Sequence, residues 1–225
     1  MQLRKASTTR YHTKQEMVYC TLRDAILHGA LSPGQRLIID EIAQALQISH
    51  IPVREAIQTL QSEGLVETIP HTGVRVTSIS RDSIIEAFTL IEGLELVATR
   101  TAAVLLDSSS AATLAALLAE MDATLQTHNY QHWGDLNTAF HRTIAAITEM
   151  PLLLEMTDRA LRQWDRVRQH FFSQVLAYRA EQAQSEHRAI LQAMQDNDVE
   201  RLDQLVKQHN RDALAAYLEY WPEIT

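Results

Sequence analysis

A single cysteine, Cys20, occurs in 225 residues, so no disulfide can close within the chain and a reducing compartment suits it. No stretch approaches the roughly 18 consecutive apolar residues of a membrane span, and the start does not run from charge into an apolar segment. Neither membrane insertion nor secretion is expected, and a cytoplasmic location is. Glycine and proline are scarce, at six and five, and beyond Ser80 only Gly93, Gly134, Pro151 and Pro222 remain. No segment there alternates as a strand would, so the last two-thirds is expected to be helical throughout. Low-complexity runs and repeats of about 20–50 residues are absent.

What is present is unevenly divided. Residues 1–80 hold 8 Lys/Arg against 7 Asp/Glu, a net +1, with four further histidines. Residues 81–225 hold 12 against 21, a net −9. The chain length allows one or two domains with ample core. We read two: residues 1–79, and residues 80–225, with Ser78-Ile79-Ser80 as the linker. Arg4, Lys5, Arg10 and Lys14 make a basic arm suited to lying along phosphates.

Local signals organise the first domain. Thr13 with Glu16 three residues on makes a capping box, Val18, Leu22 and Ile26 recur at helical spacing, and Gly29 supplies a stop. Pro33-Gly34 turns the chain. Asp40 is read as the N-cap of a short helix carrying Ile42, Ala43 and Leu46. Ser49 is read as the cap of a second helix, with Pro52 in its first turn, Val53, Ala56, Ile57 and Leu60 facing inward, and Gly64 ending it. Val66 to Ile69 and Val74 to Thr77 read as two strands joined by a tight turn at 70–73. Helix, turn, helix and a two-stranded wing is the expected product. A recognition helix meets the major groove with its N-terminal residues, here Ser49, His50, Ile51 and Arg54. Arg54 can hold a guanine edge bidentately, or a phosphate.

This stretch resembles the GntR superfamily of bacterial repressors. The resemblance rests on Ile26, Gly29, Pro33, Gly34, Leu37, the run Pro52-Val53-Arg54-Glu55-Ala56, Leu60, the run Glu63-Gly64-Leu65-Val66, and Gly73 in the wing. It implies operator DNA as a partner, with Gly73 joining the DNA-contacting set. Two positions depart from the pattern: His50 stands where the family usually has a base-reading Arg, and Ile51 replaces Thr. An operator unlike the family's common one is expected.

Six helices are read in the second domain, at about 81–106, 110–128, 131–149, 151–176, 178–196 and 198–221. Ser80, Pro151 and Asp198 mark starts, and short connections imply an antiparallel bundle. His141 shares a stripe with Leu136, Phe140 and Ile144, His187 with Ala183, Ile190 and Met194, and His209 with Leu202, Leu205 and Val206. Asn137 precedes His141 by one turn and points the same way. A lone buried imidazole commonly does no more than hydrogen-bond a neighbour. Three on separate helices, with an amide at i−4, would converge on a metal site with open positions. Trp133, Trp164 and Trp221 read as core or interface residues, and the Ala-Leu-rich segment 111–125 as a packed helix that can join a helix–helix or dimer contact.

The constellation Asn137, Phe140-His141, Glu186-His187 with Ile190-Leu191 and Ala193, and His209 is similar to the FCD ligand domain of the FadR subfamily of GntR regulators, in its shorter VanR-like form. That resemblance implies a divalent transition metal, Zn²⁺ or Ni²⁺, held by Asn137, His141, His187 and His209 and helping to bind a small organic acid. Members often place an Arg four residues before the first helix's Glu, which is Glu95 here; the position is Ile91. Arg159, Arg162 or Arg166 is the expected replacement cation. The whole is expected to be a mainly helical, homodimeric, ligand-responsive repressor. An enzyme is not expected, because no separate acid–base residue has motif support. The remaining alternative is a purely structural ion with no effector.

Overall fold

The computed structural model describes residues 11, 13–70 and 72–219, and between 170 and 177 the backbone alone. Arg4, Lys5, Arg10 and Trp221 lie outside the described residues. The chain forms two compact units that divide between Ser80 and Arg81.

Unit 1 contains α1 (Lys14–Leu27), β1 (Arg36–Leu37), α2 (Ile39–Leu46), α3 (His50–Ser62), β2 (Val66–Ile69) and β3 (Gly73–Val76). The hydroxyl of Thr13 accepts the Glu16 backbone N–H at 3.0 Å, which ties down one of the four orphan donors of α1. Val18, Leu22 and Ile26 of α1 pack with Ile42 and Leu46 of α2 and Val53, Ile57 and Leu60 of α3 in one core. Gly64, at φ 72°, releases the chain from α3 through a left-handed conformation that a side chain would strain. Cys20 sits half-buried on α1, where burial pushes its thiol pKa up.

Three local readings need correction. The wing has three strands, in the order β1-β3-β2, because Arg36 and Leu37 pair antiparallel with Arg75 and Val74. A two-residue strand is too short to show alternation in sequence. Asp40 is not the cap of α2; Ile38 holds that position and Asp40 lies in the first turn, where its carboxylate still faces the positive helix end. Ser49 does stand at the N-cap of α3, but its hydroxyl makes no bond to that helix.

Unit 2 contains α4 (Arg81–Leu105), α5 (Ser108–Gln126), α6 (Tyr130–Ile147), α7 (Pro151–Gln195) and α8 (Val199–Glu219). Asp107, Asn129 and Asp198 accept backbone N–H groups of Ser110, His132 and Arg201 and so cap α5, α6 and α8. Pro151 opens α7, where a missing N–H costs nothing. Leu114 and Met121 of α5, Phe140 and Ile144 of α6, Ile190 and Met194 of α7, and Leu202 and Val206 of α8 share one core. Among the described residues no helix is long and apolar enough to cross a membrane.

The six expected helices are thus five, since 151–176 and 178–196 form the single run α7. No glycine, proline, asparagine or aspartate falls between Arg168 and Arg179 to stop it. Leu161 and Ala183 nevertheless wall the same cavity. Twenty-two residues of straight helix would hold them roughly 33 Å apart, so the run bends and turns both arms to one space.

The first arm of α7 packs closely on α6 at Gly134. The buried guanidinium of Arg168 occupies the place a methyl there would need. It donates to Asp135 at 2.7 Å and lies 3.1 Å from Asp165.

Candidate metal centre and reading head

Three imidazoles from three helices meet in unit 2. His141 of α6, His187 of α7 and His209 of α8 each offer a nitrogen, and these lie within 4.8 Å of one another. All three side chains are buried. Asn137, one turn before His141 on α6, is buried too and lines the same cavity. The convergence follows from the stripes: each histidine continues the apolar row that its helix turns to the core.

The rings are oriented by carboxylates. Nδ1 of His141 lies 2.7 Å from Glu95 of α4, and Nδ1 of His209 lies 2.7 Å from Glu186 of α7. A carboxylate only accepts, so each Nδ1 donates, and in the neutral ring each Nε2 is left with its lone pair for a ligand. Asn210 donates to the other oxygen of Glu95 at 2.7 Å. Arg179 grips Glu186 through both terminal nitrogens, at 2.8 and 2.6 Å, and reaches the His209 carbonyl at 3.2 Å.

These contacts set the charge states. Burial would raise the Glu95 carboxyl, but the charge and hydrogen bond of His141, the charge of His209 and the Asn210 amide together hold it below the usual range. Burial opposes ionisation of Glu186 as well, yet His209 and Arg179 bring it down to about 2. For His187, burial and then the charges of His209 and His141 push the pKa well below that of an ordinary imidazole. It is the neutral, ligating form that this environment favours.

His187 also provides the test of whether a metal fits. It is fully buried and neither ring nitrogen has a hydrogen-bond partner. An unpaired buried group of this kind costs about 1–3 kcal/mol, which coordination would remove. Three neutral imidazoles and an amide oxygen suit a borderline divalent ion such as Zn²⁺ or Ni²⁺. The residues fit the group.

Asn137, His141 and His209 line a cavity of about 50 Å³. A single water needs roughly 10–15 Å³ by the same measure, so there is room for an ion and a few further atoms. Phe88 and Ile91 of α4, Trp133 of α6, Leu161, Trp164 and Arg179 of α7 and Tyr217 of α8 are among its walls. Arg159 is exposed, Arg162 is half-buried, and Arg166 is buried with Gln163 as an acceptor at 2.8 Å. None of the three lines the cavity; among the described residues the lysine or arginine that does is Arg179.

In unit 1 the residues expected to read DNA share the N-terminal end of α3. Ser49, His50, Ile51 and Arg54 are all exposed, and His50 lies 3.3 Å from Asp40. Ile51 is 67% exposed, which is unusual for its type and leaves its methyls available to a thymine methyl. Gly73 is exposed at the start of β3 with φ 101°.

Two family profiles match the chain. That of the bacterial regulatory proteins of the gntR family covers residues 14–76, and that of the FCD domain covers residues 86–212. The chain belongs to the GntR family, with an FCD domain. The transcriptional repressor RspR of Escherichia coli K12 is 25% identical over 194 residues, covering 86% of this chain and 84% of that protein. The E. coli regulator McbR is 29% identical over 138 residues, 61% of this chain and 62% of its own length. The solved E. coli McbR/YncC structure superimposes with a TM-score of 0.79 at 22% identity, over 94% of this chain and all of that one, and so shares its fold. A putative GntR regulator from Rhodococcus sp. RHA1 gives 0.76 at 25% identity, over 92% and 98%. This GntR-family protein is therefore a DNA-binding transcription regulator and not an enzyme.

Four residues of the regulator's site were not assigned a role by sequence reasoning: Glu186, Arg179 and Asn210, and Glu95 as an orienting carboxylate. One signal was available. Arg179 and Glu186 stand seven residues apart, two turns along one helix face, with the ligand candidate His187 next in line.

Proposed function

We propose that the protein is a homodimeric repressor whose grip on its operator is set by a small organic acid held at a divalent metal, Zn²⁺ or Ni²⁺, in the FCD unit. Asn137, His141, His187 and His209 hold the ion, which when bound supplies a Lewis-acidic centre for a carboxylate oxygen. Glu95 and Glu186 fix two of the rings. The observation that carries this reading is the buried His187, with neither nitrogen paired, beside two imidazoles already turned by carboxylates.

Ser49, His50, Ile51, Arg54 and Gly73 make up the DNA-facing set, two copies of which meet the half-sites of a pseudo-palindrome in the cytoplasm. The acid releases DNA by binding better to a conformer whose heads do not match that spacing; equal affinity for both conformers would shift nothing. RspR, described as a repressor, is the relative that favours repression over activation.

A second reading has one observation in its favour. A cavity of about 50 Å³ is small, and an ion with a few waters would fill it without any effector. Retardation of the native promoter, run with zinc, with chelator and with a panel of organic acids, separates the two. Zinc-dependent release by an acid supports the sensor; zinc-dependent stability with no acid able to release DNA supports the structural ion. Arg54→Ala serves as the control and is expected to abolish retardation while metal content stays at the parental level. Persisting retardation would remove Arg54 from the reading head.

A further inference from the structure

Among the described residues that line the cavity, two fully buried N–H donors have no acceptor: Nε1 of Trp133 and Nε of Arg179. Both side chains are more than nine-tenths buried, at 2% and 6% exposure. Donors removed from water and left unpaired are rare in folded proteins and call for a partner. Each belongs to the neighbourhood of the histidines. The Trp133 ring stacks on His187 with centroids 6.1 Å apart, and Arg179 bonds the His209 carbonyl.

The other described walls offer no cation to an acid. Phe88 and Ile91 of α4, Leu161 and Trp164 of the first arm of α7, and Ala213 of α8 are apolar. Glu95 has one oxygen against His141 and the other accepting from Asn210. Among the described residues, Arg179 is the sole lysine or arginine that lines the cavity.

We propose that Trp133 Nε1–H and Arg179 Nε–H anchor the effector's carboxylate, and that the effector is a short monocarboxylic acid with a small apolar body. This rests on the effector-site reading above. A carboxylate has about four lone-pair directions, enough to serve these donors and an ion together. A second carboxylate would be pressed against Phe88, Ile91 and Leu161 with nothing to pair it. Diacids are therefore rejected by the wall.

The test is calorimetric titration of the zinc-loaded full-length protein with acetate, propionate and butyrate, sizes that suit a cavity of about 50 Å³, against the size-matched diacids oxalate and malonate. At least one monocarboxylate is expected to bind ten times more tightly than either diacid. Trp133→Phe keeps an aromatic ring against His187 and deletes a donor that has no partner to lose. It is expected to keep zinc stoichiometry and ligand-free melting temperature while weakening that monocarboxylate about tenfold or more, the scale of a hydrogen bond to a charged group. A diacid that binds as tightly, an undiminished affinity in Trp133→Phe, or no binding of any acid to the zinc-loaded chain overturns the proposal. Failure of the parent to take up zinc is a separate result, and it overturns the site reading along with this one.

Discussion

At the scale of single residues, His187 behaves unlike its two partners. His141 and His209 each have a carboxylate to hold them, whereas His187 has aromatic neighbours and no acceptor or donor. Replacing it with leucine, which has a similar volume, should therefore raise or leave unchanged the melting temperature in chelator, because an unpaired polar group is removed. The stabilisation that zinc gives the parent should vanish. A loss of stability in chelator as large as that in zinc would mean that His187 has partners in the ion-free fold. Glu186 has the opposite character. Its carboxyl sits at about 2 against an ordinary 4.5, so the folded chain takes up that proton less readily than the unfolded one. Its contribution is complete above about pH 4.5 and is lost as the pH falls toward 2. Glu186→Gln should accordingly lower the urea midpoint at neutral pH, and the gap to the parent should close on acidification. The histidines themselves were legible because their spacing matched apolar stripes. Their orienting carboxylates were not, because Glu95 and His141 lie on different helices and periodicity carries no information about pairs across helices.

At the scale of elements, the α6–α7 contact depends on Gly134. A methyl there meets the guanidinium of Arg168, which is buried and held by Asp135 and Asp165 and cannot simply swing aside. Gly134→Ala should destabilise the protein by about 1–3 kcal/mol, the usual range for overpacking, although alanine is the better helix former. Equal or greater stability in chemical denaturation would show that Arg168 relocates freely. Helix spacing made α1, α2, α3, α4, α5, α6 and α8 readable from apolar recurrence, with the cap of α2 misplaced. Two elements escaped. β1 is two residues long and acquires its identity from pairing with β3, which no local pattern reports. In α7 a break was expected near residue 177, and the hydrogen-bonded run continues because no residue there stops a helix. The same stretch explains the choice of cation. Arg159, Arg162 and Arg166 were read on the first arm, while the arginine that faces the cavity, Arg179, opens the second.

At the scale of the whole molecule, the two units have separate cores. All four proposed ligands of the ion belong to unit 2, so chelation should lower the unfolding temperature of that unit and leave unit 1 where it was. Calorimetry before and after chelator checks this, and a joint shift of both transitions would show that they unfold as one. The division of labour was legible from charge, +1 over residues 1–80 and −9 over residues 81–225. Cys20 makes that division experimentally useful. It is the sole sulfhydryl in the sequence, and α1 places it in unit 1, half-buried, with a raised pKa that calls for alkaline labelling. A fluorophore attached there reports on unit 1, the unit that carries α3. Any change in its emission when an acid is added would be a direct record of the signal arriving at the reading head.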